Sequence, residues 1–272
     1  MDALQLVAIA KIACCSVILV MASVADWRTR EISDKLWVAL GASGGLLTGV
    51  ELLLSFSVTR LLVLVVSALV CLALGFGLYY VGFFGGADAK CLWCLGVAVP
   101  FNPMSTLNFR CAGVENPIFS LSVFSNSVLT AALIALAIVV FNAMQSARKP
   151  IFRGLEGESS WRKALAMMLG YRMKVSRALE KKDFYFPLEE IEVEEGSVKR
   201  RFKLLTRCLD DDPFAGLKEL VEKGYVNVEE EIWVSPAIPL LINITVGFFI
   251  ALLYGDLVLS AVSYAFGFNI VS

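Results

Sequence analysis

The sequence predicts a polytopic α-helical membrane protein of about six transmembrane helices, with a small cytoplasmic α+β domain inserted before the last helix. Three observations carry that prediction. Of 272 residues, 58% are hydrophobic and only 18% are charged, more apolar than an ordinary water-soluble domain. Seventeen of the 24 lysines and arginines fall between Arg148 and Lys223, so one polar insert interrupts an otherwise apolar chain. From Leu61 to Ala87 there is no charged residue, a run long enough to cross a bilayer as a helix.

The first span is expected over about Leu4–Ala25. It lacks a basic n-region and runs into Asp26-Trp27-Arg28 instead of a small-residue cleavage site, so it reads as a permanent span and not a secretory signal. Lys11 interrupts it near the outer end, where its stem is expected to snorkel to the surface. A polar loop, Asp26–Lys35, leads to a second span over about Leu36–Phe56, whose four glycines permit close helix contact. The third span, about Leu61–Phe84, is expected to break at the pair Gly85-Gly86. Asp88 then opens a shorter fourth span to about Phe101. After the loop Asn102–Pro117 comes a fifth span, about Ile118–Met144, and the last begins near Pro236 with an apolar tail to Ser272. The expected division is therefore residues 1–144, the polar domain 145–235, and 236–272.

The polar domain is expected to begin with a helical stretch over Trp161–Glu180. Two alternating segments, Asp183–Val193 and Ser197–Leu205, flank Glu195-Gly196 as a hairpin. Asp212-Pro213 carries the N-cap and first-position signals of a helix that Gly224 ends. Tyr225–Val234 is expected as a further strand.

Orientation follows from the placement of basic residues. The first loop carries Arg28, Arg30 and Lys35, and the residues after span five carry Arg148, Lys149 and Arg153; the alternate loops carry Arg60 and Arg110. The N-terminus is then outside and the insert cytoplasmic. Two further crossings separate Asp26 from Asp88, so both acids are expected at the cytoplasmic face.

The chemistry open to the chain is narrow. It contains no histidine, which excludes histidine-dependent triads and HExxH zinc sites. Cys91 and Cys94 have metal-type spacing but lie in an apolar run without a second ligand pair, and read as packing residues. A net charge of −1 offers no field for nucleic acid. Asp88 remains, a carboxylate at membrane depth that calls for a partner. Asp26 is the expected partner. Two carboxylates in contact share a proton and so supply a general base and a general acid. Gly85, Gly86 and Ala87 are expected to shape the site, letting a substrate backbone approach and the helix start be irregular.

Gly85-Gly86-Ala87-Asp88, followed by Ala89-Lys90, resembles the Gly-x-Gly-Asp signature of intramembrane aspartyl proteases. Asp26-Trp27-Arg28-Thr29-Arg30-Glu31-Ile32-Ser33-Asp34 resembles the Asp-x-Arg-x-x-x-Ile-Pro-Asn segment of type IV prepilin peptidases. With Trp233–Pro239 ahead of the last span, the set is most similar to the archaeal preflagellin peptidases. Ala87 stands where the signature often has glycine, and Ser33 where proline is usual. The cysteine domain of the bacterial enzymes has no counterpart, so N-methylation is not expected. The resemblance implies a membrane endopeptidase with Asp26 and Asp88 as its catalytic pair and no metal or other cofactor, removing short leaders from flagellin- and pilin-like precursors at the bilayer's cytoplasmic edge.

Blander readings stand beside these. Asp88 is also explained as a helix-start acid, and Asp26 as the partner of Arg28 or Arg30 in a solvated loop. Lys90 reads as a positive-inside anchor, Asp256 as a non-catalytic acid near the outer surface, and the acidic clusters of the insert as a solvated surface. The main functional alternative is a proton- or ion-coupled transporter using the aspartates as a relay. A presenilin-like protease and a membrane scaffold are the others; Pro236-Ala237-Ile238 is a poor match to the presenilin-type Pro-Ala-Leu segment.

Overall fold

The computed structural model describes residues 2–194, 197–203, 212–237 and 239–267. The elements in chain order are α1 (Ala3–Thr29), α2 (Asp34–Leu54), α3 (Val58–Val81), α4 (Gly86–Ala98), α5 (Pro103–Thr106), α6 (Phe119–Ser146), α7 (Ser160–Leu169), β1 (Tyr171–Lys174), α8 (Val175–Glu180), β2 (Tyr185–Pro187), β3 (Glu189–Glu194), β4 (Ser197–Phe202), α9 (Ala215–Glu222), β5 (Glu231–Pro236), α10 (Leu240–Leu253) and α11 (Leu257–Phe266). They form two compact units, residues 1–131 with 239–272, and residues 132–238.

Among the described residues, α1, α2, α3 and α6 are long and apolar enough to cross a membrane, which makes this a membrane protein. Helices α4 and α10, of 13 and 14 residues, fall short of that length. In a bilayer, helices associate through close packing and interhelical hydrogen bonds more than through water exclusion. The first unit shows both. A Cβ at Gly44 of α2 would lie 2.2 Å from the Cβ of Ala98 in α4, and one at Gly75 of α3 would lie 2.4 Å from the Trp93 indole nitrogen. Ser67 of α3 donates to the Gly96 carbonyl of α4 at 2.7 Å, and Thr48 of α2 donates to that of Ala98 at 2.9 Å. Helix α4 is thus held between α2, which runs parallel to it, and α3, which returns antiparallel. Helix α1 joins α10 through Ser23 and Thr245, whose hydroxyls lie 2.7 Å apart. Around these contacts sits one core that includes Leu19, Leu40, Leu95, Phe119 and Phe248.

Several sequence expectations are corrected. Lys11 does not snorkel. It is 1% exposed, and its Nζ meets Glu51 Oε2 at 2.6 Å, with Arg60 on the other carboxylate oxygen at 3.3 Å and the Phe101 ring beneath both cations. An ammonium two turns inside an apolar helix is stabilised more by a buried carboxylate than by stretching outward. The break after α3 turns on Gly82, at φ +88, and not on Gly85-Gly86; Gly85 has an ordinary φ of −72. The final apolar segment is divided at Gly255 (φ +106). Asp256, only 1% exposed, caps α11 by accepting the Val258 and Leu259 amides at 3.0 Å, so it is interior and structural.

In the second unit, the expected helix over Trp161–Glu180 is interrupted by β1. Val234 pairs with Tyr171 across from it, because Gly170 allows the chain to pass 2.1 Å (ideal Cβ to oxygen) from the Val234 carbonyl. Strand β5 is central in the order β1-β5-β2, antiparallel to both, and begins at Glu231, later than Tyr225. The expected hairpin is present as β3 with β4, Val193 facing Val198, but the segment Asp183–Val193 is split, β2 joining β5 and only β3 pairing with β4; the turn, Glu195-Gly196, lies outside the described residues. Helix α9 starts at Ala215 rather than at Pro213. Asp212 still accepts the Phe214 amide at 3.1 Å, and Gly224 (φ +78) closes the helix.

Candidate active site

The site is built at one end of the first unit. Asp26 lies in the last turn of α1, and the chain turns there because Arg30 takes the left-handed conformation at φ 58. Helix α2 then starts from Ser33, whose hydroxyl accepts the Lys35 amide. Helix α4 starts beside α2: Lys90 Nζ meets Asp34 Oδ1 at 2.6 Å, and the Cys94 thiol donates to the Trp37 carbonyl at 3.3 Å. The end of α1 and the starts of α2 and α4 therefore converge, and with them Asp26 and Asp88.

Asp26 is buried, at 8% exposure, and its Oδ1 lies 3.5 Å from the Arg30 guanidinium, one helical turn on. Asp88 is half-buried in the first turn of α4, where its Oδ2 accepts the Gly85 amide at 3.0 Å. Its other oxygen makes no hydrogen bond among the described residues. Burial and the Gly85 amide act most strongly on Asp88, and the Asp26 carboxylate and the Arg30 guanidinium bear on it electrostatically to a lesser degree. A carboxylate here gains from the positive end of the α4 dipole. Both bland contacts thus exist, the helix-start bond at Asp88 and the Arg30 pair at Asp26.

The small residues have distinct parts. A Cβ at Gly85 would press to 3.2 Å from Asp88 Oδ2, so glycine leaves room for the hydrogen bond that sets the Asp88 side chain. At Gly86, which is exposed, the nearest atom to an added Cβ is Tyr79 Cε2 at 3.9 Å. Ala87 packs against the main core. Cys91 is fully buried in that same core. Cys208 lies outside the described residues.

Two contacts escaped sequence reasoning. Lys90 pairs with Asp34 rather than acting only as an anchor, and 56 residues separate them, so no local pattern signals it. The choice of Arg30 over Arg28 for Asp26 did have a signal, the i,i+4 spacing.

Fold and site define a class, an integral membrane protein that gathers two acids at one end of its helices. Its relatives make the class specific. The type IV leader peptidase family model matches residues 13–143, and that of the archaeal peptidase A24 C-terminus type II matches residues 162–257. The preflagellin peptidase of Methanocaldococcus jannaschii is 28% identical over 256 residues, 92% of this chain and 95% of the relative. That of Methanococcus maripaludis is 28% identical over 89% of this chain and 93% of its own length, and that of Methanococcus voltae 27% over 90% and 94%. Across both models the chain is similar to the type IV leader peptidases, and it is an aspartic endopeptidase. These matches favour the peptidase over the ion-coupled transporter.

Proposed function

We propose that this enzyme removes the short leader from preflagellin and type IV prepilin-like precursors at the cytoplasmic face of the membrane, with Asp26 and Asp88 as the catalytic pair. What supports the assignment is the placement of the two carboxylates where the end of α1 and the starts of α2 and α4 meet. One carboxylate takes a proton from water as the water attacks the scissile carbonyl, and the other protonates the departing amide nitrogen. Gly85, Gly86 and Ala87 form the wall along which the substrate backbone lies. Each acid is held in the resting enzyme, Asp26 by Arg30 and Asp88 by the Gly85 amide, so productive geometry requires the Arg30 contact to loosen as substrate enters. No metal or other cofactor has a part.

In this reading α1, α2, α3 and α6 cross the bilayer fully, α4 makes a short fourth span beside them, and α10 leads the sixth. The N-terminus is outside, and residues 145–235 form a cytoplasmic domain between residues 1–144 and the terminal segment 236–272. The basic residues after α1 and α6 support that orientation.

The test is cleavage of a flagellin-type precursor by the detergent-solubilised protein, read as a size shift. Wild type and Asp256→Asn are expected to cleave, and Asp26→Asn and Asp88→Asn to lose at least about a thousandfold, since acid–base and attack roles both disappear. Cleavage that survives either of the latter substitutions removes that residue from the catalytic pair.

A further inference from the structure

Helix α7 has its surfaces reversed for a domain in water. Its exposed large apolar residues are Trp161, Leu165, Met168 and Leu169, at 62%, 38%, 47% and 39%. These positions are spaced i, i+4, i+7 and i+8 and form one continuous apolar stripe. Of the two charged residues of the helix, Lys163 lies opposite the stripe and Arg162 at its edge, and both are held by the second unit. Arg162 is bonded to Glu158 at 3.1 Å and to the Phe202 carbonyl, and Lys163 donates to the Glu156 carbonyl at 2.8 Å with the Phe152 ring 5.7 Å away. A helix that ties its cations to its own domain and displays its apolar face is fitted to a surrounding less polar than water.

Its position identifies that surrounding. Asn142, 2% exposed and one turn before the end of α6, donates to the Met167 carbonyl at 2.9 Å and the Gly170 carbonyl at 2.6 Å. The C-terminal end of α7 is therefore tied to the last turns of a helix about 42 Å long, longer than the hydrocarbon core, whose ends reach the headgroups. Phe141 and Met144 of α6 are also exposed, and Phe141 packs edge-on against Tyr171 at 5.8 Å. Exposed Arg148 and Arg153 follow α6, where they complement anionic headgroups.

We propose that α7 is an interfacial helix, lying in the headgroup region of the lipid bilayer with Trp161, Leu165, Met168 and Leu169 turned to the acyl chains. It seats the second unit on the membrane surface beside α6. A second copy of the chain is a poorer occupant, because four side chains fall far short of the roughly 800 Å² per partner of a stable interface.

The experiment places full-length protein in phosphatidylcholine–phosphatidylglycerol vesicles containing a phospholipid with a nitroxide high on its acyl chain. The emission difference between wild type and Trp161→Phe isolates Trp161. The nitroxide lipid is expected to remove more than half of that difference emission, and aqueous iodide little of it. Quenching by iodide but not by lipid overturns the proposal, as does quenching by neither, which would mean that protein covers the stripe. A Leu165→Glu/Met168→Glu variant should keep the near-ultraviolet circular dichroism of the folded protein in detergent and lose the lipid quenching. If lipid quenching persists in that variant, the stripe does not seat the helix and the proposal fails.

Discussion

At the scale of single residues, small side chains decide whether the helices meet. A methyl group at Gly44 would sit 2.2 Å from the Ala98 Cβ and 2.9 Å from its Cα, so backbone and not a flexible tip must give way. Gly44→Ala is therefore expected to lower the melting temperature in detergent by several degrees, as overpacking of about 1–3 kcal/mol does. Gly86→Ala meets nothing closer than 3.9 Å and should melt like wild type. A thermal scan of the two proteins separates a glycine needed for packing from one whose space is open to substrate. Asp88 belongs to this scale too, since its orientation rests on one amide, that of Gly85.

At the scale of elements, the buried cluster of Lys11, Glu51 and Arg60 pins α1 to α2 and to the start of α3. Its charges are unequal, two cations to one carboxylate, and this makes the substitutions asymmetric. Glu51→Gln leaves a 1%-exposed ammonium without its counter-ion and is expected to destabilise by about 3 kcal/mol or more. Lys11→Met leaves Glu51 with Arg60 at 3.3 Å and should cost clearly less. Equal losses in denaturation of the two variants would contradict the role given to Arg60. Composition marks Lys11 as anomalous in an apolar helix, yet its partner lies 40 residues away, and only the packing of α1 on α2 brings them together.

At the scale of the whole molecule, the two units obey different rules. The first uses small residues and interhelical hydrogen bonds; the second has a conventional core around Trp233, which stacks on Phe152 and donates its indole N–H to the Ile151 carbonyl at 3.1 Å. Beside it Glu189 is buried, accepts the Trp233 amide at 2.8 Å and pairs with Arg200 at 3.4 Å. Burial raises the Glu189 pKa above the usual carboxylate value, and the Trp233 amide and Arg200 only partly oppose it. A carboxyl group raised in the folded state contributes most when protonated, so its stabilisation is full below the unfolded pKa and falls as pH rises through the folded one. Protection of the β5 amides against hydrogen exchange, corrected for intrinsic rates, should thus fall across that window in wild type and stay level in Glu189→Gln. A wild-type profile as flat as the variant's would remove Glu189 as the titrating group.

The sequence by itself determined the apolar spans, the polar insert, the β3–β4 hairpin and the order of the two acidic motifs, and it carried the resemblance to the leader peptidases. Each is a local property: the length of a charge-free run, an alternation of period two, or a short run of residue types. Tertiary structure alone decided how the charges are partnered, Lys11 with Glu51 and Lys90 with Asp34. It also decided where helices stop, at Gly82 and Gly255, and that α7 turns its apolar face outward. Such outcomes depend on contacts between segments far apart in the chain. A helix pattern states which residues share a face, but only the neighbour packed against that face decides whether it points in or out.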